Sequence, residues 1–364
     1  MVISNCITPT DRDIAPISDD FIREQVAKNS SVILVEGSIP FTKGNVVEKT
    51  KLVLCRDFNL EASSRVYLPR LSLIFSRLSG IDNSFDFETY PNHCAVQIVE
   101  AENFPVTNVF FALNSGSDKP CDQLGFELID QWTRIHSDIV QPFCERVFDN
   151  ESRVIISRML SYESIPILIF STALLHEWGH MVTPYKVLPV MPHFKKLSSL
   201  LQGMLGETSA NCVAAIIVPE CPEIGLWLLL FHLAYAGRKG FRDAPAEGWL
   251  NHDNDTLSAV LFYQRAIRDG VLKFNHDGLL RLNMQSLPSF YSDLLKDLNW
   301  IADEAFPLPD DGHCNGVIRH WLTTEIWFNE DSDRFMLPQD LRNLYHRVVD
   351  LPEQPIFTPV LICD

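Results

Sequence analysis

The sequence predicts an α+β protein: a small mixed α/β part over residues 1–120, then a mostly helical part over 121–364 that carries a metal site. Three observations predict it. Residues 31–57 alternate as strands do, and 93–99 and 106–113 are rich in β-branched and aromatic residues. Beyond the polar break Asn114-Ser115-Gly116-Ser117-Asp118-Lys119-Pro120 the apolar spacing becomes that of helices. One of those helical runs contains His176-Glu177-Trp178-Gly179-His180.

Taken in order, residues 1–30 read as an acidic arm and a short helix starting near Asp19. Ser31–Gly37 and Thr50–Cys55 read as a pair of strands, and 66–80 as a helix ending at Gly80. His93–Val99 and Val106–Leu113, rich in β-branched and aromatic residues, read as further strands of a small sheet. Residues 122–147 read as one long amphipathic helix and 151–162 as a shorter one. Pro166 fits the first turn of the motif's helix, where its missing N–H costs nothing, and Pro184 ends that helix. Further helices are expected at about 196–217, 223–236, 255–269, 288–303, 316–328 and 338–349. Asp310-Asp311-Gly312-His313-Cys314 reads as an acidic loop between two of them, and Gly237–Arg242 as a helix C-terminus with solvated charges.

Composition narrows the partners. A hydrophobic content of 46% and a charged content of 21% describe a soluble globular chain. A net charge of −17 argues against nucleic acid or an anionic membrane surface and suits a neutral or basic substrate. Nine scattered cysteines with no Cys-x-x-Cys pair form neither a zinc ribbon nor a disulfide framework, which points to the cytoplasm. No basic, apolar leader opens the chain, and the longest apolar runs are too short to span a bilayer, so no membrane partner is expected. Nothing in the chain specifies an oligomeric state.

Two histidines four residues apart share one helix face, where both imidazoles reach one ion, and Glu177 beside the first is placed to deprotonate a water held there. A catalytic zinc takes three protein ligands and keeps one open position. The third ligand comes from Glu207 or His193. Glu207 is preferred, because Gly206, Ala210, Ala214 and Ala215 around it let its helix approach the first closely, whereas His193 sits in a proline-rich loop. Asn211, one turn after Glu207, is placed to hydrogen-bond the outer nitrogen of a ligand histidine and set its tautomer. Such sites add a donor that stabilises the oxyanion. Tyr185, His232, Tyr235, His252 and Tyr263 are the candidates, and the sequence does not choose among them. His252-Asp253-Asn254-Asp255 reads as a helix N-cap in preference to a cation site. The strand at 106–113 is a candidate edge for pairing with an extended peptide.

His176-Glu177-x-x-His180 followed by a helix-borne Glu207 resembles the gluzincin branch of the zincin metallopeptidases. The string Glu207-x-x-Ala210-Asn211-x-x-Ala214-Ala215-x-x-x-Pro219 is similar to the third-ligand segment of the ImmA/IrrE family. Covering residues 165–219, the resemblance implies one Zn²⁺ per chain, ligated by His176, His180 and Glu207, with Glu177 as general base. The function expected is a zinc-dependent hydrolase, a metallopeptidase or amidase acting on a peptide or small amide. Three rivals share the residues: a tailoring enzyme on a small amide or ester, a non-catalytic zincin-fold regulatory or binding protein, and a di-iron oxidase. The last needs a second Glu-x-x-His on another helix, and the chain has none.

Overall fold

The computed structural model describes residues 19–40, 47–65, 92–102, 109–113, 124–161, 163–185, 198–217, 219–243, 254–331 and 334–355. The acidic arm before Asp19, the helix expected at 66–80, the break at 114–120, His193 and His252 lie outside them.

After helix α1 (Asp19–Ala27) come strands β1 (Val32–Pro40) and β2 (Val47–Arg56), helix α2 (Phe58–Ser64), and strands β3 (Asn92–Glu102), β4 (Val109–Leu113) and β5 (Leu124–Leu128). The sheet order is β1-β2-β3-β5-β4, with β3 and β5 parallel and the other neighbours antiparallel. β4, the described part of the strand considered for peptide pairing, lies at one edge. Because side chains alternate across a strand, Ile33, Val35, Leu52, Leu54, Cys94, Val96, Ile98, Phe126 and Leu128 line one face and bury against Ile22 of α1. By the same alternation His93 and Ala95 of β3, with Gly125 and Glu127 of β5, belong to the other face, where Ala95 joins the core of the helical body.

β5 passes without a loop into α3, which runs through Ile129–Ile135, a π-helical turn at His136–Val140 and Gln141–Val147. The expected helix over 122–147 is therefore a strand for its first five described residues. Leu124 and Leu128, four residues apart, fit a helix face, whereas Leu124, Phe126 and Leu128 together fit a two-residue alternation, and backbone pairing with β3 and β4 decides for the strand. The sheet thus takes a strand from beyond residue 120.

The rest is helical: α4 (Asn150–Met159), α5 (Ile165–Val182), α6 (Ser199–Ala215), α7 (Pro222–Phe231, then a π-helical turn His232–Ala236 and Gly237–Asp243), α8 (Asn254–Arg268), α9 (Leu287–Ala305), α10 (Asp311–Glu325) and α11 (Gln339–His346). The sequence reading did not anticipate the small hairpin β6 (Leu272–Phe274) and β7 (Leu280–Leu282) or the β8–β9 pair (Phe328–Asn329, Arg334–Phe335). Gly278 in the hairpin turn has φ +68°, the left-handed backbone that glycine adopts without strain.

Two charged segments differ from their sequence readings. Asp310 is the N-cap of α10, its carboxylate accepting from the His313 N–H at 3.0 Å, so the acidic stretch starts a helix. Arg238 is buried, and its guanidinium donates to the carbonyls of Val348, Leu351 and Pro352. It clamps the C-terminal segment, which a neutral side chain of that length cannot do. Among the described residues no helix is long and apolar enough to cross a membrane.

Candidate metal centre

Helix α5 is apolar almost throughout, and it is packed on several sides, by α2, α3, α6 and α7. Pro166 occupies its first turn and it stops at Val182, before Pro184. Its closest neighbour is α6, and the contact is made by glycine. A Cβ on Gly179 would lie 2.7 Å from both the Cα and the carbonyl O of Ala210, so no larger residue fits without moving a backbone. This approach brings Glu207 to the two histidines.

The three expected ligands converge. His176 Nε2 lies 3.0 Å from His180 Nε2 and 3.2 Å from Glu207 Oε2, and His180 Nε2 lies 3.6 Å from Glu207 Oε1. Zinc bonds of about 2.0–2.1 Å arranged tetrahedrally separate their donors by about 3.3 Å. The observed separations bracket that value, and two imidazole nitrogens with a carboxylate are a zinc-type donor set. Among the described residues this is the one group of three such side chains placed to share an ion. All three remain partly open to solvent, which an exchangeable fourth position requires.

A chain of hydrogen bonds fixes the orientation of His176. His232 Nδ1 lies 2.7 Å from the carbonyl of Leu228, which can only accept, so Nδ1 carries the proton. Burial pushes the His232 pKa down to about 4, so the ring is neutral and its Nε2 accepts from Asn211 Nδ2 at 3.2 Å. The Asn211 amide is thereby oriented, and its Oδ1 accepts from His176 Nδ1 at 2.9 Å. His176 Nε2 is left as the nitrogen that faces His180 and Glu207. The π-helical turn at His232 belongs to this arrangement, and such turns recur at functional sites. In the metal-free centre burial opposes a charge on His176, but the hydrogen bond and charge of Glu207, aided by Glu177, hold its pKa up to about 9. Burial likewise opposes ionisation of Glu207, and the two histidines override it, keeping its carboxyl well below the usual range.

Glu177 is half-buried on α5 beside His176. The four described oxyanion candidates are placed differently. Tyr185 is buried, donating to the Leu298 carbonyl at 2.7 Å with its ring against Phe306. Tyr263 is buried beside Asp340 and Tyr345. Tyr235 stacks at 5.4 Å on Phe231. His232 has both nitrogens engaged in orienting Asn211.

The sequence reading passed over one buried pair. His93 Nδ1 lies 3.1 Å from Glu127 Oε1, and Glu127 Oε2 accepts from Trp132 Nε1 at 3.0 Å. The ring lies across Gly125, where a Cβ would come within 2.5 Å of it. Burial disfavours the charged ring, yet Glu127 and Glu177 raise its pKa while His176 opposes them, which puts His93 within electrostatic reach of the motif. No local signal marks the pair: Glu127 falls in a stretch whose apolar spacing reads as a helix, and its meeting with His93 depends on the pairing of β3 with β5.

The fold and the centre together define a helical body whose His-Glu-x-x-His helix brings three potential metal ligands together, joined to a five-stranded sheet. Solved structures share this fold. The chain is similar to the dipeptidyl-peptidase III of Corallococcus sp. strain EGB, with a TM-score of 0.59 and 12% identity over 92% of this chain and 61% of that one. It is also similar to the dipeptidyl-peptidase III of Caldithrix abyssi, with a TM-score of 0.58 and 12% identity over 85% of this chain and 56% of that one. This chain therefore spans about three-fifths of the length of those two proteins. No protein-family model and no curated protein matches it, so the local resemblance to the ImmA/IrrE family gains no support from these comparisons.

Proposed function

We propose that the chain is a zinc-dependent hydrolase of amide bonds, most simply a metallopeptidase, with His176, His180 and Glu207 as ligands and Glu177 as general base. The observation that carries this reading is the convergence of three donors at zinc spacing, with the tautomer of one ligand set from a backbone carbonyl. The bound ion supplies Lewis-acid polarisation of the scissile carbonyl and of water. Glu177 accepts the proton released as water attacks the carbonyl carbon, then delivers it to the nitrogen of the leaving amine as the C–N bond breaks. Asn211 and His232 hold the His176 ring so that its Nε2 lone pair faces the ion. A net charge of −17 favours neutral or basic peptides over acidic ones. The shared fold makes release of dipeptides the first activity to assay.

The test is metal analysis with Glu177→Gln. We expect about one zinc per chain in both proteins, and cleavage of a peptide library by the wild type that falls about 10²–10⁴-fold or more in the variant. Zinc well below one ion per chain, or a variant that cleaves as the wild type does, overturns the reading. Stoichiometric zinc without peptide cleavage redirects it to a small amide substrate.

A further inference from the structure

The π-helical turn of α7 stands between two fixed points. On one side His232 is bonded to the Leu228 carbonyl and to Asn211, which orients His176. On the other, Arg238 donates to the carbonyls of Val348, Leu351 and Pro352. Gly237 N–H reaches back to the His232 carbonyl, so the Leu233 carbonyl loses the donor that an α-helix would give it. A buried carbonyl without a partner is costly, and here a side chain supplies one. Tyr345 Oη of α11, 112 residues along the chain, donates to Leu233 O at 3.0 Å. Its ring is buried against Phe143 and Phe241. Burial pushes the phenol pKa up, against the opposing charge of Arg238, so the hydroxyl keeps the proton it donates. The hydroxyl lies over Gly237, where a Cβ would collide with it. Glycine just after the π-turn thus makes room for the bond that holds it.

Resting on the reading of His176 as a zinc ligand, we propose that Tyr345 is a positioning residue for the metal centre, acting through the π-turn. Without its hydroxyl, the Leu233 carbonyl is satisfied again when Gly237 N–H returns to it, which converts the π-turn to α-helix. That change takes one residue out of the turn and rotates one half of α7 against the other by about 100°. With Arg238 held by three carbonyls, the half that moves is the one carrying His232. Asn211 then loses the acceptor that orients its amide, and His176 Nδ1 loses a fixed partner. The C-terminal helix, far in sequence from every ligand, thereby helps to aim one of them.

The experiment compares the full chain with Tyr345→Phe and Gly237→Ala. The first keeps the ring and removes the donor, whereas the second keeps the donor and fills its place. Zinc affinity is measured by competition with a chelating dye. The ring nitrogens of His232 are followed by NMR in zinc-free protein, with His232→Gln, or Asn211→Leu if that variant fails to fold, assigning the signals. Wild-type His232 should carry its proton on Nδ1 and accept at Nε2. We expect zinc affinity to fall about 10–100-fold in both variants, and the Nε2 signal to move to that of a nitrogen without a hydrogen bond. A tyrosine that only fills the core lowers the melting temperature and moves neither readout. If Tyr345→Phe fails to fold, Gly237→Ala decides on the same two readouts. Stoichiometric zinc in the wild type with either readout unmoved in the folded variants overturns the inference alone. Wild-type zinc well below one ion per chain overturns the metal reading and this inference with it.

Discussion

Two buried polar chains in this molecule work by different physics. Leu228–His232–Asn211–His176 is neutral until it reaches the ligand, and it directs protons by hydrogen-bond complementarity alone. Trp132–Glu127–His93 is built on a buried carboxylate and an imidazole whose pKa is raised against the effect of burial, so it is a charged pair. The first sets which nitrogen of His176 faces His180 and Glu207, a question of geometry that a neutral amide answers without adding charge. The second is a buried ion pair, in which each partner offsets the cost of burying the other. Proton direction and charge pairing are thus found in different layers, the helices and the sheet.

Breaking the centre itself sets the scale. Glu207→Ala should weaken zinc by roughly a hundredfold or more, since one of three ligands is lost, as measured by competition with a chelating dye. Gly179→Ala comes next. Its methyl meets the Ala210 backbone at 2.7 Å and forces α5 from α6, costing about 1–3 kcal/mol of stability and much of the zinc affinity. A variant with unchanged melting and zinc binding would show that the close approach is dispensable. Asn211→Leu should reduce zinc affinity about 10–100-fold while leaving His93 unaffected, which separates the two chains directly.

The two chains also oppose each other in pH. With its pKa pushed down to about 4, His232 stays neutral while unfolded histidines protonate, so its contribution is lost as pH falls from about 6.5 towards 4, on the order of 3 kcal/mol in all. His93 has a raised pKa, so its contribution is full below about pH 6.5 and is lost as pH climbs through the folded value. Denaturation of zinc-free protein against pH should therefore give a limb on each side of neutrality, with His232→Gln removing part of the acid limb only. If it flattens the alkaline limb instead, the assignment is inverted. Smallest of all, Tyr185→Phe should cost about 1 kcal/mol of stability and leave zinc binding unchanged.

How much of this was legible in the sequence follows from distance along the chain. His176 and His180 are four residues apart, so helix periodicity alone puts them on one face. Gly206 and Ala210 advertised a close helix contact, although the glycine that makes it is Gly179, inside the motif. Asn211 was found by its one-turn offset from Glu207, but the further link to His232 depends on how α7 packs beside α6. His93 and Glu127 were invisible because their meeting depends on a parallel register between β3 and β5, which no local pattern encodes. The same pairing makes Leu124–Leu128 a strand where the apolar spacing of 122–147 predicts a helix.

That strand has a consequence for anyone who would dissect the chain. Since β5 enters α3 without a loop, a cut at residue 120 does not separate sheet from helices. The helical piece would keep Leu124, Phe126 and Leu128 with both backbone edges stripped of β3 and β4, an apolar ribbon ready to pair with other copies. The shorter piece would lose the strand that joins β3 to β4. Expressed apart, the halves should aggregate, and only co-expression with strand complementation should restore soluble material. A library of truncations is therefore better placed within the C-terminal helices than at the change in sequence pattern.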